Sequence, residues 1–123
     1  MRYILLIYHA EEVWNGLTDA QRQDIYGEYR NLIQELQANG NYIAGDELQP
    51  TATATSIKVR EGEQLITDGP FAETREQVGG FFLIEAKDQA EAVKIAARIP
   101  SARMGTIEVR PVAVEPAAAG QPA

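Results

Sequence analysis

Tyr3-Ile4-Leu5-Leu6-Ile7-Tyr8 is an unbroken apolar run of strand length rather than helix length. A strand without polar alternation must be buried on both faces, so this run reads as a central strand. Outward from it, Glu11 to Gly16 reads as a polar loop holding the single tryptophan, Trp14. Thr18 has the character of a helix N-cap, with Asp19 in the first turn and Gln21 placed to complete a capping box. The helix is expected to run to about Ala38. Its apolar stripe is Ile25, Tyr29, Leu32, Ile33 and Leu36, and Asn39-Gly40 ends it.

Phe81-Phe82-Leu83-Ile84-Glu85-Ala86 is a second strand that is apolar on both faces. Between the two runs, Tyr42-Ile43-Ala44-Gly45 reads as a short strand, followed by an irregular crossover through Pro50. Ala54 to Arg60 and Gln64 to Thr67 flank a tight connection at Glu61-Gly62-Glu63 and form a β-hairpin. Asp68-Gly69-Pro70 then stops the strand, because Pro70 has no amide hydrogen to extend a ladder. Phe71 is expected to pin this turn to a core, and Gly79-Gly80 to separate the polar segment around Glu73, Arg75 and Glu76 from the strand at Phe81. Asp88 caps a second helix, Gln89 to Ile99, with Val93, Ile95 and Ile99 as its larger apolar contacts and Pro100 as its end. Thr106 to Pro111 is the last strand, with Ile107 and Val109 on one face. From Glu115 on, the chain is mostly alanine and proline, has little to bury, and is expected to be disordered over 115–123.

The order is β-α-β-(hairpin)-β-α-β, an α+β, ferredoxin-like pattern in one domain over residues 1–114. Two helices cover only one face of such a sheet, and the apolar runs need cover on both. A second copy packed sheet on sheet supplies it, so a homodimer is expected. The chain has no cysteine, which excludes disulfides, thiolate metal sites and a cysteine nucleophile. The net charge is -7, with the basic residues scattered, which argues against a direct nucleic-acid partner. The opening apolar run is too short for a membrane span or a secretory signal, so a cytoplasmic protein is expected. No phosphate-cradling loop, nucleophile elbow or dinucleotide fingerprint is present, and no cofactor is implied.

The run Tyr3 to Tyr8, the phrase Leu48-Gln49-Pro50 with Ala52-Thr53-Ala54-Thr55, the string Asp68-Gly69-Pro70-Phe71-Ala72-Glu73-Thr74 and the ending Ile107 to Val112 together resemble the DGPF-domain branch of the YCII-related proteins. The resemblance covers nearly the whole chain. It implies a dimeric α+β barrel built from ferredoxin-like halves, and an association with extracytoplasmic-function sigma factors. Better-studied YCII-like relatives use a His-Asp pair in a pocket. This chain has no histidine in its first long helix, so that pair does not carry over.

The candidate catalytic residues are Asp68, His9, Glu73 and Arg75. Asp68 either fixes its turn by accepting backbone hydrogen bonds or acts as a general acid or base. Glu73 and Arg75 share a face, as a solvated pair or as a pocket dyad. His9, the single histidine, either ends its strand in a hydrogen bond or moves a proton near neutral pH. No metal-ligand spacing is present, so no metal site is assigned. Tyr8, Trp14, Phe71 and Arg103 are the candidate ligand-binding residues, with Tyr26, Tyr29 and Tyr42 as further pocket tyrosines. The leading expectation is a small-molecule-binding or enzyme-like dimeric barrel, with a pocket near His9, Asp68 and Glu73 and acid–base chemistry on a small metabolite, with an anionic one among the candidates. The alternative is a non-enzymatic accessory protein that binds a regulatory partner such as a sigma factor.

Overall fold

A computed structural model describes residues 1–114; the tail read as disordered, 115–123, lies outside the described residues. Strands β1 (Arg2–His9), β2 (Tyr42–Glu47), β5 (Gln77–Glu85) and β6 (Thr106–Pro111) form a four-stranded sheet in the order β2-β5-β1-β6. Its pairings are antiparallel. β1 and β5 are the central pair, where runs without polar alternation belong. Helices α2 (Asp19–Ala38) and α3 (Gln89–Ala97) supply the two crossovers. This is an α+β fold consistent with a ferredoxin-like domain. No helix among the described residues is long and apolar enough to cross a membrane.

The alternation along β1 sorts the two sheet faces. Tyr3, Leu5 and Ile7 are buried with Phe82 and Ile84 of β5 against Leu32 and Leu36 of α2 and Ala92, Ile95 and Ala96 of α3. Each large inward side chain contributes roughly 1.5–3 kcal/mol through burial. On the opposite face, Ile4 is registered with Leu83 and Leu6 with Phe81. These four are only half-buried, because both helices lie on the other side.

Both helix starts follow from their caps. The Thr18 side chain accepts from the Gln21 amide at 3.1 Å while the Gln21 side chain accepts from the Thr18 amide at 2.8 Å. Asp88 accepts from the Glu91 amide at 2.9 Å. Of the expected α3 contacts Ile95 and Ile99 are buried, together with Ala92 and Ala96, but Val93 is 49% exposed. The small alanines let the helix lie close on the sheet, which turns Val93 outward. Pro100 opens a 3-10 turn, Pro100–Arg103, rather than a plain loop.

Three further expectations are corrected. Glu11 to Gly16 is not a loop: Glu11–Asn15 forms a short helix, α1. Two acidic residues in its first turn favour the N-terminus, and Arg22 of α2 caps the other end, donating to the carbonyls of Trp14 at 3.2 Å and Asn15 at 2.9 Å. Gly79-Gly80 does not separate a loop from a strand but lies within β5. Phe71 does not anchor a core; it is 86% exposed.

The hairpin of β3 (Thr55–Arg60) and β4 (Glu63–Asp68) forms a two-stranded sheet of its own. It is an arm with Ile57, Val59, Leu65 and Ile66 all exposed. Its turn, Glu61-Gly62, has φ of 51° and 79°, the positive pair of a type I′ turn. Glu61 is the described non-glycine residue held at positive φ, where a side chain meets the following carbonyl. Glu61→Asn, which restores the Asn-Gly pair this turn favours, is expected to stabilise the arm by about 0.5–1 kcal/mol. Amide hydrogen exchange should then slow across β3–β4 and stay unchanged across β1–β5; unchanged exchange in the arm would contradict the turn assignment.

Candidate functional site

A cleft opens between the first half of α2 and the sheet, at the end of β1. It has two adjoining lobes of about 250 and 230 Å³. His9, Trp14, Tyr26, Glu47 and Gly79 line both lobes and form the neck between them. The inner lobe runs back to Ile7, Ile33, Tyr29, Tyr42 and Phe82. The outer lobe, on the side of α1 and the chain after β2, is walled by Glu11, Gln49, Thr51 and Gln77.

Aromatic packing sets both walls. Phe82 meets Tyr42 edge to face at 5.4 Å between centroids and Tyr29 at 6.1 Å. At the neck Trp14 stands edge to face with Tyr26 at 5.5 Å and with His9 at 6.4 Å. Arg22, by capping α1 and lying 5.9 Å from the centre of the Trp14 ring, fixes the indole in that position. Trp14, expected to lid a pocket from a loop, therefore does so from a braced helix.

His9 owes its place to a break in the sheet. Ile7 is registered with Gly80 and Tyr8 with Val78, so Gly79 is the extra residue of a β-bulge. The imidazole fills the space above it: a β-carbon at position 79 would run into His9 Nε2 and come within 2.7 Å of Cδ2. A glycine doublet in a strand marks such a close approach.

Hydrogen bonding and burial settle the state of the cleft tyrosines. Tyr26 donates to both oxygens of Glu47, at 2.9 and 3.1 Å. Burial, followed by this bond, pushes the Tyr26 phenol above its ordinary value. Burial also raises Tyr42, and it raises Tyr29 against the opposing effect of Ser101, whose hydroxyl lies 2.6 Å away. At neutral pH all three are therefore protonated phenols and not phenolate bases. Glu11 accepts from both the hydroxyl and the amide of Thr51, the latter at 3.2 Å, and so ties the outer wall to α1.

Of the residues singled out in the sequence, His9 and Trp14 are brought together here, with Tyr26, Tyr29 and Tyr42. Asp68, Glu73 and Arg75 are exposed and line neither lobe, so the pocket does not lie beside Asp68 and Glu73. Bonding around the motif holds its own backbone: Ser56 donates to the Gly69 carbonyl at 2.8 Å, and Gln77 to the carbonyls of Ala72 and Thr74 at 3.0 and 3.2 Å. Tyr8 points to the opposite sheet face, where its hydroxyl donates to Glu108 at 2.9 Å. Arg103 pairs with Glu28 at 2.9 Å on the surface. Glu47 was not singled out, because it falls in the stretch read as irregular crossover. A bulge between Tyr42 and Ala44 resets the alternation that brings Glu47, exposed as it is, to the α2 side of β2. Among the described residues no three His, Asp or Glu side chains gather closely enough to hold a metal ion.

The family model of the YCII-related domain matches residues 1–115, and the chain belongs to that family. It is also similar to an uncharacterized protein of Rhizobium meliloti (strain 1021), with 31% identity over 116 residues covering 93% of this chain and 94% of the relative.

The bulge makes a specific coupling. Gly79→Ala is expected to cost about 1–3 kcal/mol, since the new methyl must displace a packed imidazole. In a His9→Ala background the same change should cost much less. A double-mutant cycle by urea denaturation measures this, and additive costs would show that the ring does not depend on the bulge.

Proposed function

We propose that the cleft is a small-molecule site and that His9 exchanges a proton with what binds there. The position of His9 at the neck of the cleft carries this reading. Imidazole is the side chain whose charge changes near neutral pH, and here it faces a cavity walled by aromatic rings. The three cleft tyrosines remain protonated and serve as fixed walls, and Tyr26 spends its proton on Glu47, which holds a negative charge beside them. Acid–base chemistry needs this division between a group that moves a proton and groups that hold position. Asp68, Glu73 and Arg75 are assigned to the exposed motif rather than to the chemistry.

Within the family, the string Asp68 to Thr74 supports the DGPF branch. The half-buried face of Ile4, Leu6, Phe81 and Leu83 supports an isologous sheet-on-sheet dimer, a dimeric α+β barrel. A second reading, an accessory protein that docks on a regulatory partner such as a sigma factor, draws on the exposed apolar arm and on Phe71 beside it.

Native mass spectrometry of the purified protein and of Ile33→Trp, which fills the inner lobe, tests both parts. The expected result is a dimer that retains a discrete small adduct, lost from the filled variant. A monomer would contradict the barrel, and an adduct retained equally by Ile33→Trp would move the site out of the cleft.

A further inference from the structure

We propose that the cleft takes an organic cation: a protonated amine carried on an aromatic or branched apolar body. This inference rests on the reading of the cleft as a ligand site and names its substrate class. The inner lobe, with Ile7, Ile33 and Phe82, offers an apolar receptacle, and its volume of about 250 Å³ holds roughly eight to twelve non-hydrogen atoms. The polar end of such a molecule then lies at the neck and the outer lobe.

The charged side chains that line the outer lobe are carboxylates, while the Arg22 guanidinium lies 5.9 Å from the centre of the Trp14 ring. The outer lobe is lined by the carboxylates of Glu11 and Glu47 and by no lysine or arginine. The ion pairs among the described residues use Asp19, Glu28, Glu35, Glu85 and Glu108, and leave Glu11 and Glu47 without a cation. Both carboxylates are already aimed. Glu47 is held by the Tyr26 hydroxyl, and Glu11 by Thr51. Between them stand the Trp14 and Tyr26 rings, whose faces attract cations, as Arg22 over the indole already shows.

Arg30 is the one guanidinium in the lining, and it belongs to the inner lobe. Its Nη2 lies back along α2, 3.7 Å from where a β-carbon of Gly27 would stand. In the outer lobe the lining charges are Glu11 and Glu47, so an anionic head placed there meets carboxylates, and this end of the cleft disfavours the anionic metabolite expected from the sequence.

The test compares three probes with one phenyl body and different heads: 2-phenylethylamine, 2-phenylethanol and 3-phenylpropanoate. Trp14 is the single tryptophan, so intrinsic fluorescence at low salt and near neutral pH reports directly from the neck, and thermal unfolding gives a parallel readout. The amine is expected to bind about tenfold or more tightly than the alcohol, with the propanoate weakest. Glu47→Gln should remove most of that advantage and leave the alcohol's affinity in place. Equal binding of all three, or tightest binding by the propanoate, would overturn the cation assignment and leave the cleft standing as a site. Failure of every probe in both readouts would overturn the cleft reading and this inference with it.

Discussion

An imidazole and a β-carbon cannot share one volume, and the site depends on that exclusion. The ring of His9 occupies the space over Gly79, and that space exists because β5 carries one extra residue opposite the end of β1. The alternation of β1 turns His9 to the same side as Tyr3, Leu5 and Ile7, and the bulge, by placing Gly79 there, leaves room for the ring. Trp14 and Tyr26 complete the neck from the helical side, braced by Arg22 and Glu47. One backbone irregularity thus makes room for the group to which we assign the chemistry.

The rest of the chain supplies a one-sided scaffold. α2 and α3 bury the inner face of the sheet, and the cleft lies between the first half of α2 and the sheet, beside the β2 edge. The outer face and the β3–β4 arm retain large apolar side chains in contact with solvent. An isolated two-stranded hairpin is marginal in water, and this arm exposes Ile57, Val59, Leu65 and Ile66. The scaffold and the site make separate demands: burial orders the inner face, and local sterics order the cleft.

Much of the fold was legible because its signals are local. The unbroken run Tyr3 to Tyr8, the Thr18–Gln21 capping box, the Asp88 cap and the tight Glu61-Gly62 turn each specify one element with few alternatives. The site was half legible. His9 and Trp14 stood out by being unique, and the pocket tyrosines by their number. Glu47 was hidden because a bulge breaks the two-residue period before it. α1 was hidden because its stabilising cap comes from Arg22, on another helix. Asp68, Glu73 and Phe71 drew attention through a distinctive motif, yet composition cannot say whether a phenylalanine turns into a core or away from it. Gly79-Gly80 carried a correct signal of close approach but was read as punctuation, since only the pairing with β1 identifies what approaches.

The central claim is that ligand recognition lies at the His9 neck and not at the Asp68–Thr74 motif. Chemical-shift mapping of the isotope-labelled protein against a panel of small aromatic metabolites tests it most directly, because the single imidazole and the single indole give unambiguous signals. For every binder, the largest shifts should fall together on His9, Trp14, Tyr26 and Gly79. Binders whose largest shifts fall on residues 68–75, with His9 and Trp14 unmoved, would contradict the account.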